Sequence, residues 1–350
     1  MSNSDYNFLD RLLHRLALQY NFIAEMSFDI DQKIVSDDSQ DINQQQHVFI
    51  SGLARAGTTV LMRRFHTTGL YRSLTYRDMP FILAPNLWQR LSFISKRELK
   101  NAERAHGDNL LVNADSPESL DEVFWRVFAG KEYIKKTNLI PHEPSTDVIQ
   151  KYISYVNAIL SAQTPRRDRY LSKNNNNILR LNSIHKAFPN ALILIPFRDP
   201  LQHALSLFRQ HRHFSALQAN SNFTLSYMTW LSHHEFGLDH RPFQLDNKQT
   251  SPYSPDSLDY WLHVWCQTYE WLEHTKPKPA LFVCYEDLCE NEAVWNKLAE
   301  LANFSSCPQK GDQFKLSNRP VELTFDQDLA DRASTIYNKL SMQARAQITD

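Results

Sequence analysis

Glycine is scarce in this chain, seven in 350 residues, so a pair at a defined spacing marks a turn that needs them. Cysteine is scarcer. Cys266, Cys284, Cys289 and Cys307 lie in the last third with no C-x-x-C among them, which excludes a disulfide frame or a thiolate zinc site and reads as free thiols in a reducing compartment. No apolar run approaches the ~18 residues of a membrane span, and the first residues carry no charged-then-apolar leader pattern. A cytoplasmic location without a transmembrane segment is therefore expected. Neither sign of charge dominates: 38 Lys and Arg against 39 Asp and Glu leave a net charge of −1, so nonspecific nucleic-acid binding is disfavoured. His211, His213, His233, His234 and His240 follow no H-E-x-x-H or Cys/His spacing, and no metal site is expected.

What the chain does have is 42% apolar and 12% aromatic content, ordinary for a globular enzyme. Its length allows one α/β domain with insertions or two domains; we read one, spanning 1–350. Residues 1–46 form an N-terminal helix and loop, since Phe8, Leu9, Leu12, Leu13 and Leu16 recur at helical spacing. Residues 86–163 and 211–274 read as mainly helical insertions on the acceptor side of a site.

The organising stretch is 47–65. An apolar strand, Val48-Phe49-Ile50, enters a turn marked by Gly52 and Gly57 and leaves through a helix carrying Val60, Leu61 and Phe65. The spacing G-x-x-x-x-G belongs to a loop whose backbone N–H groups and helix N-terminus face a phosphate. Thr58 stands where a nucleotide-triphosphate loop carries Lys, Thr59 keeps the hydroxyl, and the positive charge sits back at Arg55. That pattern departs from Mg-nucleotide chemistry.

Further along, residues 71–76 read as a second strand that Pro80 ends, which leaves Asp78 just beyond it. Residues 147–163 form an amphipathic helix. Residues 169–172 read as a strand ending at Lys173, and the asparagines 174–177 can turn the chain and cap a helix running to Pro189. The continuous apolar run 191–197 reads as a parallel strand buried on both faces. It ends at Arg198-Asp199-Pro200, where Asp199 can N-cap and Pro200 can open a helix. A last buried strand, 279–284, ends at Tyr285, and two helices follow, near 290–303 and 327–347.

The run Ser51-Gly52-Leu53-Ala54-Arg55-Ala56-Gly57-Thr58-Thr59 resembles the 5′-phosphosulfate loop of sulfotransferases that use 3′-phosphoadenosine 5′-phosphosulfate (PAPS). The similarity is to the Pro-Arg-Ser-Gly-Thr-Thr branch of protein-tyrosine and carbohydrate sulfotransferases, from which Ala54 and Ala56 depart. The block from Lys173 through Arg198-Asp199-Pro200 to Ser206 resembles the 3′-phosphate site of the same family. The resemblance implies a P-loop-type parallel β-sheet flanked by helices. It makes Arg55, Ala56, Gly57, Thr58, Thr59, Arg198, Ser206 and Tyr285 the nucleotide ligands, with Lys173 and Arg55 meeting the leaving oxygen. It places Asp78 as the base, with Glu122 and His66 in reserve, and a basic loop at 310–319 over the adenosine. The acceptor would be a hydroxyl, with saccharides among the candidates.

Arg55, Asp78, Lys173, Arg198 and Tyr285 each follow the C-terminal end of an expected strand, where open parallel sheets bind ligands. Two other classes compete. A P-loop kinase or nucleotidase would use Asp199 to hold a metal, but Thr58 replaces its essential Lys. A non-catalytic nucleotide-binding scaffold would have no need of Lys173 or Arg198, and both are present.

Overall fold

The computed structural model describes residues 8–35, 41–91, 102–103, 111–112, 115–162, 167–246, 251–305, 313–316 and 318–349. Two helices, α1 (Phe8–Gln19) and α2 (Asn21–Gln32), precede strand β1 (Val48–Ile50). Then come α3 (Thr58–Thr67), β2 (Tyr71–Arg72), α4 (Pro85–Leu91), the short strands β3 (Ala102–Glu103) and β4 (Leu111–Val112), α5 (Glu122–Tyr133) and α6 (Thr146–Ser161). β5 (Arg169–Lys173), α7 (Leu181–Ala187), β6 (Leu192–Phe197), α8 (Pro200–Ala219), α9 (Asn222–Trp230) and α10 (Leu258–Thr275) follow. The chain continues through β7 (Leu281–Cys284), α11 (Tyr285–Glu290), α12 (Glu292–Leu301) and α13 (Gln327–Thr349).

Five strands form one sheet in the order β2-β5-β1-β6-β7, and every pairing in it is parallel. Parallel neighbours need crossovers, and helices supply them. The order places β1 in the centre, with Ile50 level with Lys173 on one side and Leu194 on the other. Side chains alternate between two cores, as the pleat requires. Val48, Ile50, Leu171, Leu192, Leu194 and Val283 pack against Leu61 and Phe65 of α3 and Trp295 of α12. Phe49, Tyr170, Ile193, Ile195 and Phe282 face the larger core of α5, α6, α8, α10 and α13. Burial on both faces is why β1, β6 and β7 read as unbroken apolar runs.

The structure corrects several expectations. The second strand is two residues long rather than 71–76: Thr75 instead bridges to Pro117, and a 3₁₀ turn, Tyr76–Asp78, takes over. The asparagines open a 3₁₀ helix, Asn175–Arg180, because the Asn174 side chain accepts from the Asn176 N–H; α7 starts only after it. The N-terminal segment is two helices, not one. Residues 86–163 contain an antiparallel strand pair, β3 with β4, where helix or loop was expected. Within the 310–319 loop, residues 310–312 and 317 lie outside the described residues.

Candidate functional site

The centre of the site is the turn between β1 and α3. Ser51 N donates to Leu194 O at 2.9 Å, which ties the turn to β6. A Cβ on Gly52 would lie 2.7 Å from the Pro196 carbonyl oxygen, so only glycine lets the chain pass β6 this closely. Gly57 has φ of 84°, and a Cβ there would lie 2.3 Å from the Tyr285 ring. Arg55 also occupies the left-handed region, with φ of 71°, a strained state for a residue with a side chain. Left-handed residues interleaved with others turn successive N–H groups toward one point. Gly57 is the N-cap of α3 and offers no side-chain cap, so the first amides of that helix are left to an anion. Ser51, the residue after β1, has its Oγ buried with no partner among the described residues.

A residue that periodicity could not have selected supports this turn. His203, on α8, is fully buried and its Nε2 lies 2.7 Å from Ala54 O. Burial pushes its pKa down to about 3, with the nearby Arg198 and Arg55 charges adding to the effect. The ring is therefore neutral and donates through Nε2 to the carbonyl, which pins the residue before Arg55. The only sequence signal was a histidine four residues after the expected cap Asp199.

From the turn, Arg55 Nε donates to Ser206 Oγ at 3.2 Å, joining residues 151 positions apart. Asp199 and Pro200 open α8 as expected: Asp199 Oδ1 accepts from Gln202 N at 2.8 Å, and Asp199 N donates to Glu286 Oε1 at 3.0 Å. The Arg198 guanidinium stands 5.7 Å from the centre of the Tyr285 ring, the same ring that covers Gly57. Tyr285 donates its hydroxyl to Lys315 O at 3.2 Å, and burial first, then Cys289, pushes its pKa up to about 12. Lys173 is buried at the end of β5, beside β1. Arg55, Gly57, Thr58, Thr59, Arg198, Ser206 and Tyr285 thus share one end of the sheet, with Lys173 at the same edge.

The expected bases are differently placed. Asp78 Oδ1 lies 2.5 Å from Arg72 Nη2, and Oδ2 accepts from Thr75 N at 2.7 Å and Thr75 Oγ1 at 3.1 Å. Arg77 pairs with Asp115. Glu122 accepts from both terminal nitrogens of Arg180, from Asn174 Nδ2 at 2.7 Å and from the Tyr133 hydroxyl. Burial, with Arg167 and Arg72 nearby, pushes His66 down to about 4. Among the described residues no group of three or more His, Cys, Asp or Glu is placed to hold a metal, and no helix is long and apolar enough to cross a membrane.

The sheet and the turn define an α/β protein of the phosphate-loop kind. The model of the sulfotransferase family matches residues 47–300, well over half the chain and spanning both blocks. The chain belongs to the sulfotransferase family and is an enzyme that transfers sulfuryl groups. No curated protein matches it. Among solved structures it is similar to a sulfotransferase of Mycobacterium tuberculosis at 12% identity and a TM-score of 0.46, over 98% of this chain and 88% of that one. A Mycobacterium avium sulfotransferase gives 13% and 0.39 over 94% and 74%. One from Alicyclobacillus acidocaldarius gives 13% and 0.37 over 87% and 96%. Family membership rests on the family model, not on these distant likenesses.

Proposed function

We propose that this enzyme takes the sulfuryl group from PAPS and passes it to an acceptor hydroxyl, with saccharides the first acceptors to try. The observation that carries the reading is the contact of Arg55 with Ser206, which brings the loop of one phosphate and the serine expected at the other to one place. The turn fits such a donor, with uncapped amides at α3, a buried serine hydroxyl, and a left-handed Gly57 that the Tyr285 ring approaches too closely for any side chain. The N–H groups of 56–59, the Thr58 and Thr59 hydroxyls and Arg55 hold the 5′ end. Arg198 and Ser206 hold the 3′-phosphate, and Tyr285 packs beside the nucleotide.

When bound, the donor supplies an activated sulfuryl group. The chain's own work is to fix it in line with the acceptor and to stabilise charge on the departing phosphate oxygen, the task of Lys173 and Arg55. A buried lysine is strongly placed for this, since its charge acts in a low-dielectric site. Asp78, with its oxygens taken by Arg72 and Thr75, shapes the turn after β2 in this reading and leaves the proton to another group. A kinase reading is disfavoured because Asp199 is engaged in capping α8.

Calorimetry tests the donor. 3′-Phosphoadenosine 5′-phosphate (PAP), the desulfated product, should bind without Mg²⁺, and ATP should bind far more weakly. Tight, Mg²⁺-dependent ATP binding would overturn the reading. Radiolabelled sulfate donor offered with glycans, phenols and peptides identifies the acceptor.

A further inference from the structure

Residues 231–241, between α9 and the approach to α10, lie against the loop that begins the site. Asn175 Nδ2 donates to Glu235 Oε1 at 3.1 Å, and Asn176 Nδ2 donates to the Ser232 carbonyl at 3.3 Å. The segment is thereby tied to the chain two and three residues beyond Lys173. One cavity is lined both by Leu53 and Ala54 of the phosphate loop and by Asn175, Asn176 and Glu235. Ser232 is held at φ of 57°, a costly state for a non-glycine residue, and the following N–H, that of His233, donates to Met228 O at 2.9 Å.

Within this segment Glu235 Oε2 lies 3.6 Å from His233 Nδ1, and the His233 side chain keeps 24% of its surface exposed. We propose that His233 is the catalytic base that takes the acceptor proton through Nε2, with Glu235 the positioning residue that holds the ring. A carboxylate beside Nδ1 favours the tautomer that leaves Nε2 as acceptor and then balances the imidazolium that forms. His233 is open to solvent where Asp78 and Glu122 are closed in by their own partners. Burial alone would raise the Glu235 pKa, but His233 and Lys173 overcome it and hold Glu235 down at about 2, so the partner stays charged.

The inference rests on the PAPS reading above. The acceptor O–H bond breaks and its proton goes to Nε2. The oxygen pair forms the new S–O bond. The bond from sulfur to the bridging phosphate oxygen breaks, and its pair stays on that oxygen, beside Lys173.

Several titratable groups of the described residues lie around the pair. Lys173 approaches from β5. His240 is pushed down to about 4 by burial and is neutral at working pH. His234 and Arg241 are both paired with Asp239. With His233 as the base, the acid limb of the rate profile depends on it.

PAP release from PAPS, with water and then with the best hydroxyl compound of the panel as acceptor, is the readout, alongside calorimetry of PAP. His233→Gln should bind PAP as the wild type does, lose the acid limb and release PAP on the order of 10² to 10⁴ times more slowly. Glu235→Gln should move the acid limb to lower pH, because the imidazolium loses its negative neighbour. Imidazole added to His233→Ala should restore part of the rate. A His233→Gln enzyme with wild-type rate and pH limb overturns the proposal, as does His233→Ala that binds PAP and ignores imidazole. Wild-type protein that does not bind PAP defeats the donor reading instead.

Discussion

Arg72 Nη2 and Asp78 Oδ1 lie 2.5 Å apart, each side chain 9% exposed. A buried pair of this kind tolerates loss of one partner badly, because the other charge is left without compensation. Asp78→Asn should therefore lower stability by about 3–5 kcal/mol, read from denaturant unfolding. Sulfuryl transfer per folded molecule should stay near the wild-type rate. The opposite result, intact stability with turnover cut by about 10² or more, would make Asp78 the base after all. The same residue shows what one side chain discloses. Its place beyond a strand end was legible, while its partner was not, because Arg72 became a neighbour only when the strand stopped at two residues and the chain turned back.

At the level of elements, α8 carries the most. It begins at Asp199, presents His203 to the loop and Ser206 to Arg55, and is preceded directly by Arg198. Asp199→Ala removes the cap, which costs about 1 kcal/mol, and loosens the start of the helix that positions Arg198. PAP affinity should fall, while Asp199→Asn, which can still accept from Gln202 N, should keep most of it. Equal affinity in both variants and the wild type would mean that the helix start does not set the 3′-phosphate site. The cap and Pro200 were legible because local chemistry alone dictates them. The runs of β1, β6 and β7 were legible because burial on both faces leaves one apolar pattern. His203 and the pair His233–Glu235 were not, since each acquires meaning only from an atom of a distant element: the Ala54 carbonyl oxygen, the Asn175 amide. The strand pair β3–β4 was also missed, because two-residue strands leave no alternation to read.

Across the whole molecule, buried histidines make stability depend on pH. His47 and His203 are fully buried, and burial holds them down to about 4 and about 3. Each folded value lies below the ordinary one near 6.5, so the unfolded chain binds the extra proton between those limits and stability falls as pH drops through that window. For a group this well sealed the loss between pH 7 and pH 5 is roughly 2 kcal/mol each. Asp121 works the other way. Burial raises it to about 6 against the hydrogen bond from Ser172, so the folded state binds that proton first and offsets about one histidine. A net decline on acidification remains, well above the range where surface carboxylates titrate. Denaturant midpoints at pH 7, 6 and 5 should fall steadily, and His47→Gln should flatten the slope while leaving turnover at pH 7 unchanged in the protein that folds. A midpoint that holds constant down to pH 5 would mean these rings are not held neutral in the folded protein.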